Sequence, residues 1–235
     1  MLLQADFTKL IQELKNEIKT YISHHPVVCK TKDDRTPVTE LDYFISNWFK
    51  NRKEIEGINF FSEEDHSNLT FPCFILDPVD GTKEYIENRP EWSVTGAFAL
   101  SADFKNSPYQ AFVLNPLSNF LTTVGLPAKL NKEETVMVSR TEWDQGYYSQ
   151  DKWPFKILPC GSIAYKLGLL NEGKIRAVIS RKPKNIWDIA AGTSLLVANG
   201  YRFYSAGKKI EKFEKVLLTP PLIWCKPEDE AIFLT

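Results

Sequence analysis

The chain has 235 residues, 43% hydrophobic and 25% charged, which is ordinary for a globular protein and long enough for one large domain or two small ones sharing an interface. Lysine plus arginine total 29 against 30 for aspartate plus glutamate, a net charge of −1, so a broad basic field for a nucleic-acid polymer is excluded while a local anion site is not. Four cysteines at 29, 73, 160 and 225 lie far apart without zinc-type Cys/His spacing, and reduced, mostly buried thiols are expected.

The opening stretch "MLLQADFTKLIQELKNEIKTYI" carries charges throughout and no small-residue cleavage site, so it does not read as a signal peptide. No apolar run approaches membrane-spanning length, and a cytoplasmic location is expected. Leu3, Phe7, Leu10, Ile11, Leu14, Ile18, Tyr21 and Ile22 recur at three-to-four spacing, which predicts an amphipathic helix. A polar loop, "KTKDDRTP", separates it from a second helix expected over about Val38 to Lys53, with Leu41, Phe44, Ile45, Trp48 and Phe49 inward. From Ile58 to Val124 the runs "INFFS", "FPCFILD", "WSVTGAFAL", "YQAFVLN" and "FLTTVG" read as short strands. Their close succession predicts a largely antiparallel sheet with the helices on one face, an α+β arrangement. After the polar connection "LPAKLNKEE" the signals alternate. Strand "TVMVSR", a helix near Trp143–Lys152, strand "FKILPC", helix "SIAYKLGLLNEG", strand "IRAVIS" and helix "IWDIAAGTSLLVANG" give an α/β second half. The expected division is therefore 1–132 and 133–235, with no internal repeat.

Histidine occurs only at 24, 25 and 66, away from any cysteine or serine signature, which argues against a Ser-His or Cys-His nucleophile. The acids cluster instead. Glu63, Glu64 and Asp65 follow "INFF", and Asp77 and Asp80 follow "CFIL", so both groups end predicted strands. If those strands are neighbours, several carboxylates converge, and unpaired they raise one another's pKa and resist ionising. A divalent cation removes the conflict, and Mg²⁺ takes oxygen ligands in an octahedral shell that retains waters. Taken singly, each piece has a plainer reading: "DPVDGT" as a turn, "SEED" as a solvated acidic loop, Lys32 to Arg35 as a charged loop. Likewise Asp188 reads as a first-turn helix acid, Asp42 as an exposed helix acid, Ser162 as an N-cap and Arg140 as a surface arginine at a strand end.

Together, "KDDRTPVTELD" (32–42), "SEED" (62–65), "LDPVDGTKEYI" (76–86), "CGSIAYKLGLLNEG" (160–173) and "NIWDIAAG" (185–192) resemble, in order, the inositol monophosphatase superfamily of Mg²⁺-dependent phosphatases. The Lys83–Ile86 run, the "SEED" form and "VSRT" (138–141) are similar to its 3'(2'),5'-bisphosphate nucleotidase branch of the CysQ type, a branch of sulfur metabolism. The resemblance implies a layered αβαβα sandwich, two or three Mg²⁺ ions with Mn²⁺ as a substitute, and inhibition by Li⁺. It implies metal binding by Glu63, Asp77, Asp80 and Asp188 with the Val79 carbonyl, and activation of the attacking water by Thr82 oriented by Asp42, Glu63 assisting. Pro78 would bias Asp77 towards an extended backbone, and Gly81 would let the chain approach a phosphate. Substrate contacts implied are Lys32, Gly81, Thr82, Ser139, Arg140, Gly161, Ser162 and Asp188, with Arg140 forking onto a second phosphate; Asp34 falls in the family's mobile loop.

Departures lie on the substrate side. "LPAKLNKEE" is short, Glu142 stands where a histidine often follows the Ser-Arg segment, and Arg35 stands where a smaller polar residue is common. The implied partner is a small phosphorylated molecule, a nucleotide first, with inositol or sugar monophosphates as the alternative and a catalytically silent phospho-ligand-binding homologue as the rival from another class. A monomer and a homodimer both remain open.

Overall fold

The computed structural model describes residues 4–33, 36–65, 68–105, 109–125, 134–150 and 153–234. Leu3, Asp34, Arg35, His66, Lys152 and all but the last residue of the 126–134 connection lie outside these described residues.

The first periodic segment forms α1 (Gln4–His24), which buries Phe7, Leu10, Ile11, Leu14 and Ile18 at the expected spacing. A short antiparallel pair, β1 (Cys29–Thr31) and β2 (Pro37–Thr39), then hands the chain directly to α2 (Glu40–Lys50). This helix is shorter than Val38–Lys53 because Val38 and Thr39 are still strand. Thr39 serves as N-cap, in a reciprocal capping box with Asp42.

β3 (Asn59–Ser62), β4 (Cys73–Asp80), the one-turn α3 (Thr82–Ile86), β5 (Ser93–Ala99), β6 (Tyr109–Asn115) and β7 (Phe120–Thr123) follow, and the strands form one sheet in sequence order. Only β3 and β4 are parallel; the other neighbours are antiparallel, as expected. The expectation of helices on one face is corrected. β4 alternates two buried sets: Phe74 and Leu76 pack with α1 and α2, while Cys73 and Ile75 pack with helices from the second half. An apolar run with both faces buried needs a layer on each side.

The second half contains β8 (Thr135–Ser139), α4 (Arg140–Asp144), β9 (Lys156–Cys160), α5 (Ile163–Asn171), β10 (Ala177–Ser180), β11 (Lys184–Asn185) and α6 (Ile186–Ala198). It ends with β12 (Arg202–Ser205), β13 (Lys208–Lys209), β14 (Leu217–Leu218), β15 (Leu222–Cys225) and α7 (Glu230–Phe233). The larger sheet runs β13-β12-β15-β10-β8-β9, with parallel pairing only between β8 and its two neighbours. The helix expected near Trp143–Lys152 is instead the single turn of α4, which ends before Gly146 at φ 75°.

α5 and α6 lie between the sheets: Leu167, Ile189 and Leu195 share one core with Ile75 and Val113 from the first sheet and Val178 and Trp224 from the second. The outer face of the second sheet is covered by Tyr148, Phe155, Phe233 and Trp143. The layers are thus helix, sheet, helix, sheet, helix, the αβαβα sandwich.

Candidate active site

The acids gather where β3, β4 and β8 end and α6 begins. Between Asp77 and Asp80 the pairing with β5 slips, Asp77 facing Thr95 and Asp80 facing Ser93. Pro78 lies inside this irregularity, where it has no N–H to give the ladder. Gly81 then takes φ 91°, a left-handed turn that suits glycine and starts α3. A cleft of about 270 Å³ is lined here by Glu63, Asp77, Val79, Asp80, Gly81, Thr82 and Asp188, together with Ser139, Arg140, Gly161 and Lys184. A larger, mostly apolar cleft of about 660 Å³ by Trp153, Pro221 and Phe233 includes none of these acids.

Electrostatically the acids are in conflict. Burial raises Asp77 well above the usual carboxylate range, and Glu63, Asp80, Asp188 and Asp42 each push it further. Burial also raises Asp80, against hydrogen bonds from Ser162 and Ala164. Asp188 rises to about 7 through burial, with Lys184 opposing and Asp80 adding to the shift. Glu63 rises through burial although Lys32 works against it. Burial alone disfavours the Lys32 ammonium, but its bonds to Glu64 (2.6 Å) and Glu63 (2.9 Å) outweigh that and raise it.

Each acid is turned to a local partner. Asp77 Oδ1 accepts from the Val79 N–H (3.1 Å), Asp188 Oδ2 from Asn185 N–H (2.8 Å), and Asp80 Oδ2 from Ser162 Oγ and Ala164 N–H (both 2.5 Å). Consequently, among the described residues no three His, Cys, Asp or Glu side chains stand together closely enough to hold an ion as placed. The donor set still fits a hard divalent cation: every group is an oxygen, and the mutual repulsion is what a cation relieves.

The expected Asp42–Thr82 pairing is not made in this structure. Thr82 Oγ1 donates to the Val79 carbonyl (3.0 Å), while Asp42 Oδ2 accepts from Thr39 N–H (2.8 Å) and Thr39 Oγ1 (2.6 Å) in the capping box. Asp42 is buried at 1% exposure rather than an exposed helix acid, and its Oδ1 has no partner. Burial lifts it to about 7 against the two Thr39 bonds.

Ser162, implied by the resemblance as a substrate contact, stands behind the cleft wall in this structure. It is 1% exposed and does not line the cleft; it caps α5 by accepting from Tyr165 N–H and donates to Asp80. Gly161 lines the cleft, but its N–H donates to Glu91 Oε2 (3.2 Å). Its lack of a side chain has a steric reason: an added Cβ would lie 2.2 Å from Glu84 Cδ. Ser139 caps α4, and Arg140 Nη2 is paired with Glu91 while its Nε is buried without a partner.

Sequence reasoning missed Lys184, Glu84 and Glu91. Lys184 stands four positions before Asp188, a spacing that could have flagged it. Nothing local marks Glu91, which reaches Arg140 across 49 positions.

Comparison with known proteins fits this arrangement. The chain belongs to the inositol monophosphatase family, whose family model matches residues 2–146. Its relatives include the 3'(2'),5'-bisphosphate nucleotidase CysQ of Buchnera aphidicola, 27% identical over 206 residues, covering 78% of this chain and 76% of that one. CysQ of Escherichia coli K12 is 26% identical over 207 residues, covering 78% and 82%. Among solved structures, the Thermotoga maritima IMPase superposes with a TM-score of 0.79 at 19% identity, covering 98% of this chain and 94% of that one. CysQ from Bacteroides thetaiotaomicron superposes at 0.70 with 21% identity, covering 95% and 98%.

Proposed function

We propose that the chain is a Mg²⁺-dependent phosphatase that removes the 3'-phosphate of adenosine 3',5'-bisphosphate, leaving AMP and phosphate. One observation carries this reading: a single cleft pools the acids Glu63, Asp77, Asp80 and Asp188 with the cations Arg140 and Lys184. Acids alone suit any phosphatase using divalent cations; two cations beside them suit a substrate with a second phosphate. The nucleotidase name carried by the CysQ relatives points the same way.

Glu63, Asp77, Asp80, Asp188 and the Val79 carbonyl are the groups that would hold Mg²⁺. Once bound, it supplies positive charge for the phosphoryl oxygens and for activating the attacking water. The chain's own residues do the rest. The left-handed turn at Gly81 lets backbone N–H groups approach phosphate oxygens. Thr82 Oγ1 donates to the Val79 carbonyl, one of the groups that would hold the ion, and Asp42 Oδ1 is a buried acceptor without a partner that would take the hydroxyl proton were that carbonyl occupied. Threonine is a weak base alone, and Asp42, held near neutrality, is matched to accept or return that proton.

The test is phosphate release from adenosine 3',5'-bisphosphate, phosphoadenosine phosphosulfate, inositol phosphate and fructose bisphosphate, with and without Mg²⁺. The highest kcat/KM is expected on the adenosine bisphosphate, with none released without the ion. A wide preference for inositol phosphate overturns the substrate assignment. No release from any of them makes the chain a silent binding homologue.

A further inference from the structure

Glu142 is fully buried, outside the cleft, and engaged through both oxygens. Oε1 accepts from Ser180 Oγ (2.8 Å) and Lys182 N–H (3.1 Å); Oε2 accepts from Tyr148 Oη and Arg181 N–H (both 2.8 Å). One carboxylate therefore ties the end of β10 and the 181–183 loop to α4. Burying a carboxylate is costly unless its oxygens are satisfied, so four donors mark a fixed joint rather than packing. The joint has a cation at each end. α4 begins at Arg140, and the tied loop runs directly into Lys184; both line the cleft.

Both cations retain capacity for an anion. Arg140 spends Nη2 on Glu91, but its Nε is buried with no partner. The Lys184 amine makes no hydrogen bond or ion pair within 4.0 Å among the described residues, although it lies near enough to Asp80 and Asp188 to favour their charged forms. Two cations select for a second anionic group only if their spacing is held.

We propose that Glu142 is a positioning residue for substrate selection: it fixes the spacing of Arg140 and Lys184, and that pair receives the second phosphate of the substrate. This rests on the bisphosphate reading above. In Glu142→Gln the amide nitrogen faces donors that it cannot accept from, which loosens the loop without changing side-chain size.

The experiment measures kcat and KM on adenosine 3',5'-bisphosphate and on a nucleoside 3'-monophosphate, with melting curves for each variant. For Glu142→Gln, KM on the bisphosphate is expected to rise about tenfold, with kcat and the monophosphate constants within about twofold of wild type. Tyr148→Phe removes one donor, keeps the carboxylate, and is expected to raise the same KM about threefold; it decides the matter if Glu142→Gln does not fold. Adding Glu142→Gln to Lys184→Met is expected to raise KM by less than about twofold further, because the spacing that Glu142 fixes has no effect once one cation of the pair is gone. Equal losses on both substrates, a loss confined to kcat, or full additivity with Lys184→Met overturns the inference. A wild-type enzyme without bisphosphate preference overturns it together with the functional reading; a selective wild type with equally selective variants overturns this inference alone.

Discussion

Asp80 and Ser162 divide one task between them. Asp80 Oδ2 is held by Ser162 Oγ and Ala164 N–H, which fixes the carboxylate at the cleft wall. Replacing Asp80 by Asn removes a charged oxygen from the set that would hold the ion, and kcat is expected to fall about 10²- to 10³-fold. Steady-state kinetics at saturating Mg²⁺ check this, and near-native turnover would remove Asp80 from the ligand set. Ser162→Ala acts one step further out. The hydroxyl is buried and touches Asp80 rather than the cleft, so its loss lets the carboxylate wander. A weaker apparent Mg²⁺ affinity, by about tenfold, is expected with KM for substrate little changed. A titration of Mg²⁺ at fixed substrate separates the two, since a direct substrate contact would move KM instead.

Glycine 161 shows how elements are brought together by what a residue lacks. The turn into α5 presses against Glu84 from α3, and a Cβ at 161 would meet Glu84 Cδ at 2.2 Å and Cγ at 2.3 Å. Gly161→Ala is expected to destabilise the fold by about 1–3 kcal/mol through forced repacking, read by denaturant unfolding. A change below about 0.5 kcal/mol would show that Glu84 swings aside freely. The pressure between α3 and α5 was invisible in the sequence, where positions 84 and 161 are far apart. What was legible had short range: the period of α1, the continuous apolar run of β4, and the acids at its end. β12 and β15 were missed because "YRFYS" and "PLIWC" are short runs; β12 turns back only onto the two-residue β13, and its longer pairing, with β15, like that of β15 with β10, joins strands distant in sequence. The α4 region was over-read as helix because "EWDQGYYSQDK" has scattered aromatics, which serve an outer core cluster rather than a helical stripe. The Asp42–Thr82 bond is absent here because Thr82 Oγ1 is spent on the Val79 carbonyl and the capping box holds Asp42 Oδ2, which leaves Oδ1 without a partner.

At the scale of the molecule, the fold concentrates negative charge that its own lysines do not neutralise. Glu63 comes from β3's end, Asp77 and Asp80 from β4, Asp188 from α6 and Asp42 from α2, so no single element holds the excess. All five have folded pKa values raised above their ordinary 3.8 or 4.5, with Asp42 and Asp188 near 7. The direction of linkage follows. Below about pH 4 both folded and unfolded chains are protonated at these groups, and no penalty applies. As pH rises, the unfolded chain ionises first while the folded one retains protons, so stability falls until the folded groups ionise, near 7 for Asp42 and Asp188. Metal-free protein is therefore expected to lose melting temperature steadily between about pH 4 and 7, from the ordinary carboxylate range to the raised values of Asp42 and Asp188. On the proposed reading Mg²⁺ would bind the ionised form and compete with those protons, so its stabilising increment is expected to grow over the same interval. At a concentration about 100-fold above Kd the increment is ~2.7 kcal/mol, which corresponds to roughly 5–10 °C for a chain of this size. Thermal melts in EDTA and in Mg²⁺ across that pH range make the comparison. If the two sets of curves run parallel, the acids are not acting on one shared ion; if the metal-free midpoint rises with pH, the carboxylates are not in conflict at all.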